Sequence, residues 1–400
     1  MDMLSWYENK LNALKCADNH RAFSTSRQAD RFIYPATSAD TPPLLNLASN
    51  DYLGLASDTH LRQQFFTTHS QDSLRLSASS SRLLTGTFDE HSTLEKTLAD
   101  TFSLHAKRTL SALTFNSGYH ANVGILPAIS DSRTLILADK LVHASIIDGI
   151  LLSKAAHLRY PHQDCQRLTA LIDKHYHDYE RIIIATESVF SMDGDVTDLK
   201  FLVNLKNNYP KISLYVDEAH AIAVRGKHGL GIAEEQGVLG EIDFLVGAFG
   251  KTMASVGGFC ICHPIIKDYL INAMRPLIFS TALPPINAAW TRHVFDYMLD
   301  KHQARTDLQA LAMDFIAKLH GLGFDCPSQS HIIPVIIGDN RRTLEYAKAL
   351  KAAGFYVLAV RPPTVPKNQA RLRICLNSHI TQTDIDKLLN ILENLKNKSL

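Results

Sequence analysis

The 400-residue sequence has no long apolar run, and no stretch approaches the roughly 20 uninterrupted apolar residues that a membrane-spanning helix needs. Net charge is almost absent: 41 Lys+Arg face 40 Asp+Glu, a formal charge of +1. No global field therefore favours nucleic acid or an anionic membrane, and any bound anion must be held by a local site. Cysteine is sparse, with six residues (Cys16, Cys165, Cys260, Cys262, Cys326 and Cys375) in neither a disulfide framework nor a metal-ligand spacing. The pair Cys260/Cys262 reads as alternate faces of a strand, and no metal is expected. The first fifteen residues mix acidic and polar side chains with apolar ones and lack the apolar core of a signal peptide. A soluble, cytoplasmic protein in a reducing compartment is the expectation.

What is present is an ordinary globular composition, 46% hydrophobic and 20% charged, enough to bury a sizeable core. Residues 3–20 alternate at helical spacing and read as an N-terminal arm helix. From about 95 to 280, short β-branched runs alternate with helical patterns, and Thr134–Ala138, Arg181–Thr186, Ser213–Asp217, Phe244–Ala248 and Phe259–Cys262 read as strands. Such alternation argues for an α/β fold, a mostly parallel sheet with helices on both faces. Pro284-Pro285 breaks the pattern, and a long helical segment at about 286–320 leads into a smaller α+β region. There Ile332–Ile337, Tyr356–Val360 and Leu372–Leu376 read as strands, and 341–353 and 382–396 as helices, the last opened by Thr381 with Asp384 in a capping-box spacing. The expected division is an arm over 1–45, a large cofactor-binding domain over 46–284 and a small domain over 285–400.

Two short strings point first to an ATPase: Asp217-Glu218-Ala219-His220 and Gly250-Lys251-Thr252. A phosphate-cradling P-loop needs a second glycine five positions before Gly250, where Leu245 stands, and the GKT string should precede the acidic one rather than follow it. The same residues fit a pyridine-type cofactor better. Asp217 closes the apolar run Leu214-Tyr215-Val216, which places its carboxylate in the crevice outside a strand's C-terminal end, where open α/β sheets bind ligands. A carboxylate there keeps a pyridine nitrogen protonated and the ring an electron sink; a helix-capping aspartate is the alternative. Lys251 follows the next strand among small residues (Gly250, Gly257, Gly258), where partial desolvation lowers an amine's pKa toward nucleophile and base. A surface lysine on a loop is its alternative.

Seven strings then carry a resemblance. They are Ser49-Asn50-Asp51-Tyr52-Leu53-Gly54-Leu55, Asn116-Ser117-Gly118-Tyr119, His143-Ala144-Ser145, Glu187-Ser188-Val189-Phe190-Ser191-Met192-Asp193-Gly194-Asp195, Val216-Asp217-Glu218-Ala219-His220, Phe249-Gly250-Lys251 and Arg361-Pro362-Pro363-Thr364-Val365-Pro366. In this order they resemble the α-oxoamine synthases, fold-type-I enzymes that use pyridoxal 5'-phosphate to condense an amino acid with an acyl thioester. Together they are very specific. The last string, with Ala370-Arg371-Leu372-Arg373, looks most like the branch of biotin synthesis that joins L-alanine to a pimeloyl thioester on coenzyme A or an acyl carrier protein. Relatives using glycine and an acetyl donor, or making α-aminoketone signals, are the nearest alternatives. A non-catalytic scaffold subunit is a third, although such a subunit is expected to lack the lysine.

The resemblance implies roles. Lys251 holds the cofactor as an internal Schiff base and then removes the α-proton. Asp217 pairs with the pyridine nitrogen, His220 with the phenolic oxygen, and His143 stacks on the ring. Gly118, Tyr119 and Ser191 hold the phosphate, joined by Ser280 and Thr281 of a second subunit, so a homodimer is implied. Arg361 clamps the amino acid's carboxylate, Thr364 and Asn50 contact substrate, and Arg27 meets the distal carboxylate of the acyl chain. Two departures stand out. Ala248 replaces a threonine common in the family, forgoing a hydrogen bond to a charged group worth about 1.5–3 kcal/mol, with Thr252 and Ser255 as candidates to compensate. Ser77-Ala78-Ser79-Ser80-Ser81-Arg82 also lacks the glycines usual there.

Overall fold

Apolar runs with β-branched residues build the centre of the molecule, buried on both faces as a parallel sheet requires. The computed structural model describes residues 3–16, 20, 22–23, 25–35, 42–70 and 74–397. The N-terminal strands are β1 (Ser26–Ala29), β2 (Phe32–Pro35) and β3 (Leu44–Asn46). The large sheet takes β4 (Ser111–Phe115), β5 (Thr134–Asp139), β6 (Ala156–Tyr160), β7 (Arg181–Glu187), β8 (Ile212–Asp217), β9 (Phe244–Ala248) and β10 (Gly258–Cys262). The last four are β11 (Ile332–Gly338), β12 (Phe355–Tyr356), β13 (Leu358–Val360) and β14 (Ala370–Cys375).

Seven strands form the large sheet in the order β4-β10-β9-β8-β7-β5-β6. Pairing is parallel from β9 through to β6, and β10 alone runs against its neighbours. The C-terminal ends of β4, β5, β7, β8 and β9 therefore share one edge of the sheet. Alternate side chains pack into two cores. Leu214, Val216, Ile182 and Ile184 face one, and Tyr215, Ile183 and Ala185 face the other beneath the helices Gly118–Ile129 and Ala144–Leu152. β11, β14 and β13 make a second sheet. No helix among the described residues is long and apolar enough to cross a membrane.

The expected strands and helices are present, with boundaries shifted by one or two residues, and three differences have physical causes. The segment Tyr356–Val360 is split at the buried Val357: β12 pairs in parallel with β3, and β13 pairs antiparallel with β14. The helical segment 286–320 is two helices, Pro285–Leu299 and His302–Gly321. The buried Arg305 divides them, because its guanidinium donates to the carbonyls of Met298 (2.6 Å) and Leu299 (3.0 Å) and so terminates the first helix. Cys260 and Cys262 do not face opposite ways. Side chains two apart on a strand share a face, and both are buried in the same core as Leu113 and Val246. All six cysteines are free.

The arm helix runs Met3–Cys16, and residues 17–19 of the expected span lie outside the described residues. The capping box forms: Thr381 N donates to Asp384 Oδ2 at 3.0 Å and Asp384 N to Thr381 Oγ1 at 3.3 Å, opening the helix Gln382–Asn397. β4 is the apolar strand-like stretch expected before Gly118, whereas β6 and the N-terminal strands had no counterpart in the sequence reading. β6 is an edge strand with partly exposed side chains, which weakens its apolar signal.

Candidate active site

At the shared C-terminal edge lies a cavity of about 410 Å³. Six of the residues singled out from sequence line it: Gly118, Tyr119, His143, Asp217, His220 and Lys251. Each arrives at the end of a strand. Asp217 is the last residue of β8, and Lys251 lies in the turn from β9 to β10. His143 follows β5, and Gly118 opens the helix after β4. That helix is capped by Ser117, whose hydroxyl accepts from His120 N at 3.0 Å. The amides of Gly118 and Tyr119, ahead of that capped one, are among those a helix cannot satisfy itself. Gly258 permits the close approach beside it, since a Cβ there would sit 2.6 Å from Gly118 N.

Asp217 is held on both oxygens. Oδ1 accepts from Ala219 N at 2.9 Å and Oδ2 from Asn122 Nδ2 at 2.8 Å. Asn122 is itself fixed by Tyr215, whose phenol donates to Asn122 Oδ1 at 2.6 Å. Asp217 thus caps the following turn and also lines the cavity, so the two readings of it are compatible. Burial lowers the pKa of Lys251, opposed by Asp217 and Glu187 and assisted by Arg373. Burial drives the pKa of His220 well below the usual histidine value, with Lys251 and Arg373 adding to the effect. Its Nδ1 lies 2.7 Å from Tyr52 Oη. Packing around His143 lowers its pKa, with Asp217 opposing. His143 Nδ1 accepts from Ser145 N at 3.2 Å, so this histidine caps the helix Ala144–Leu152 while its ring lines the cavity. Tyr119 Oη donates to Asp148 Oδ2 at 2.5 Å.

Ser191, Asn50, Ser280, Thr281, Arg361, Thr364 and Arg27 do not line this cavity. The backbone carbonyl of Ser191 accepts from Arg373 Nε at 2.6 Å. Asn50 Oδ1 accepts from Arg373 Nη2 at 3.3 Å and from Tyr52 Oη at 3.1 Å. Ser280 and Thr281 line a separate pocket with Arg82 and Asn116. Arg361 is half-buried and Thr364 exposed; Thr364 N donates to the Arg361 carbonyl at 3.1 Å. Arg27 is exposed, its guanidinium 4.5 Å from the Tyr34 ring centre. Of the hydroxyls offered to compensate Ala248, Ser255 lines the cavity and is bonded to Thr291 Oγ1 at 2.7 Å. Thr252 is buried outside the lining, with its hydroxyl unpartnered among the described residues.

Asn122, Ser145 and Glu187 line the cavity without having been assigned a role from sequence, and the buried Arg373 and Tyr52 bond to residues beside it. Glu187 carried the same signal as Asp217, a carboxylate ending an apolar strand. Asn122 carried a weaker one, a polar residue within a largely apolar helix. One other cluster of ligating side chains occurs among the described residues: His105, His228 and Glu234. Its imidazole rings stack 4.0 Å apart at 29°, and His228 Nδ1 contacts Glu234 Oε1 at 2.5 Å.

The chain belongs to the aminotransferase class I and II family, whose model matches residues 42–392. It is similar in structure to SPT with PLP (TM-score 0.87, 26% identity, covering 100% of this chain and 99% of that one). Within that class the likeness narrows to the 8-amino-7-oxononanoate synthases. The chain is 46% identical to the "Putative 8-amino-7-oxononanoate synthase" of Pasteurella multocida (strain Pm70), over 98% of this chain and 100% of the relative. It is also similar to the crystal structure of 8-amino-7-oxononanoate synthase from Francisella tularensis (TM-score 0.72, 27% identity, covering 89% of this chain and 99% of that one).

Proposed function

We propose that this chain is a pyridoxal-phosphate-dependent acyltransferase that joins L-alanine to a pimeloyl thioester, releasing carbon dioxide and the free thiol, to give 8-amino-7-oxononanoate for biotin synthesis. The observation that carries it is the convergence of Lys251 and Asp217 on one cavity at the C-terminal ends of neighbouring strands. The residues fit the cofactor. An amine of lowered pKa suits an aldehyde, a doubly hydrogen-bonded carboxylate suits a protonated ring nitrogen, and a glycine-opened helix N-terminus suits a phosphate.

When bound, the cofactor withdraws electrons from the amino acid's α-carbon, so that a bond there breaks heterolytically. Lys251 would hold the cofactor, and its Nζ, made less basic by burial, would take up the substrate's α-proton. Asp217 would keep the ring nitrogen protonated. His220, neutral because it is buried among positive charges, offers a ring nitrogen to the phenolic oxygen. His143, which lines the cavity, would support the ring and orient the substrate. Gly118, Tyr119 and Ser191 would hold the phosphate, with Ser280 and Thr281 of a second copy, so the enzyme would work as a homodimer. Arg361 binds the alanine carboxylate in the two-pronged manner a guanidinium allows. Thr364, Asn50 and Arg27 contact the substrates.

The test is to incubate the protein with alanine or glycine and with pimeloyl or acetyl thioesters, on coenzyme A and on acyl carrier protein, and to weigh the products. The mass of 8-amino-7-oxononanoate from alanine and pimeloyl thioester supports the reading. Product from glycine and acetyl thioester alone overturns it in favour of a glycine acetyltransferase.

A further inference from the structure

Asp217 and Glu187 are the two acidic side chains among the cavity's lining residues. They end adjacent parallel strands at facing register positions, Glu187 opposite Asp217, and so share one face of the sheet. Their surroundings differ. Both Asp217 oxygens accept hydrogen bonds from fixed donors. Glu187 is 3% exposed, and its Oε1 is sealed from solvent with no hydrogen-bond partner among the described residues. The backbone amide of His143 is the donor that reaches its carboxyl group.

A buried carboxylate with an unsolvated, unpartnered oxygen is unfavourable, and a second negative charge beside Asp217 adds repulsion. The groups facing Glu187 are Asp217 on β8, Asp139 on β5, the His143 amide and Lys251. Lys251 is the single cation among them and is shared with Asp217. One positive charge balances one negative charge, and the geometry gives the second negative charge nothing to pair with.

We propose that Glu187 is a positioning residue held as an un-ionised carboxylic acid, so that Asp217 is the only anion of the cavity and Lys251 Nζ is not locked into an ion pair with a second carboxylate. This deepens the reading of Lys251 as the cofactor lysine and rests on it. Burial, with Asp217 adding and Lys251 opposing, raises the carboxyl's pKa well above the usual range, in the same direction. A carboxyl kept neutral by its surroundings so that its neighbours can work is a known device of active sites.

The experiment uses the cofactor-free protein. Infrared spectra near neutral pH are recorded for wild type and Glu187→Gln, in which a neutral amide of the same shape replaces the acid. The proposal expects the carbonyl band of an un-ionised carboxyl to be present in wild type and lost in the variant. The difference spectrum separates it from Glu218, which burial pushes up to about 7. The pH dependence of Lys251 modification by an amine reagent is followed in parallel and is expected to be the same in both proteins. Loss of a carboxylate band instead, with a Lys251 pKa lower by a unit or more in the variant, would show that Glu187 is ionised and paired with the lysine. If the variant fails to fold, isotope-labelled glutamate in wild type gives the same reading, with the un-ionised band expected and its absence decisive against the idea. These measurements need neither cofactor nor substrate, so their failure is distinct from failure of the proposed reaction.

Discussion

Tyr52 Oη lies 2.7 Å from His220 Nδ1, and both side chains are buried. Because His220 is neutral, this contact takes part in deciding which ring nitrogen carries its proton, and so whether its other nitrogen donates or accepts in the cavity. Tyr52→Phe keeps the ring but strands Nδ1. A buried polar atom left without a partner costs about 1–3 kcal/mol, and the cofactor-free variant is expected to lose that much in urea denaturation. An unchanged midpoint would show that the contact contributes nothing to stability.

Asn122 is the second support. It donates to Asp217 Oδ2 at 2.8 Å and to Ser145 Oγ at 2.9 Å while accepting from Tyr215 Oη at 2.6 Å. Asn122→Ala removes a hydrogen bond to a charged group, worth about 1.5–3 kcal/mol. Cofactor affinity is expected to weaken by about tenfold or more as Asp217 loses its anchor, measured by absorbance titration with pyridoxal 5'-phosphate. Unchanged affinity would place the support of Asp217 elsewhere.

Ala248 lines the cavity with its Cβ close to the helix N-terminus, 3.3 Å from where a Cβ on Gly118 would lie. Ala248→Thr supplies the hydroxyl that is common in the family. If that hydroxyl reaches the phosphate, affinity for the cofactor rises by about 10- to 100-fold, from the same 1.5–3 kcal/mol per charge-assisted bond. No gain in the titration would mean that Ser255 or a backbone amide already fills the role.

These supports show what was legible in the sequence and what was not. Asp217 and Lys251 stood out because each ends or follows an apolar strand with a polar group of defined chemistry, and a sheet's C-terminal edge collects such residues. Glu187 had the same signature, yet its significance depends on the β7–β8 register and on an oxygen without a partner, and neither is a property of a one-dimensional string. Tyr356–Val360 read as a single strand because apolar content does not reveal that two sheets compete for it; β3 takes one half and β14 the other. Arg305 dividing the 286–320 segment was equally hidden, because an arginine in a helical pattern gives no sign that it turns back onto carbonyls six and seven residues earlier. The misreading of Cys260 and Cys262 was one of parity, not of signal.

His162 offers a pH test away from the cavity. Burial opposes its charge, but Asp139 at 2.9 Å and Asp195 at 2.7 Å outweigh that and raise its pKa to about 10. A histidine whose folded pKa lies above its unfolded value of about 6.5 contributes stability that is complete below that pH and is lost as pH rises through the folded value. Urea midpoints are therefore expected to fall between pH 6.5 and about 10 in wild type, and His162→Gln should flatten that slope. Equal slopes in the two proteins would remove the triad from the account.

The central claim is that Lys251 carries the cofactor, and chemical trapping tests it directly. The protein is loaded with pyridoxal 5'-phosphate, reduced with borohydride, digested, and its peptides weighed. The expected result is the reduced cofactor's mass on the peptide containing Lys251, and no visible absorbance or label in Lys251→Ala. Label on a different lysine, or an undiminished yellow protein in the variant, would contradict it.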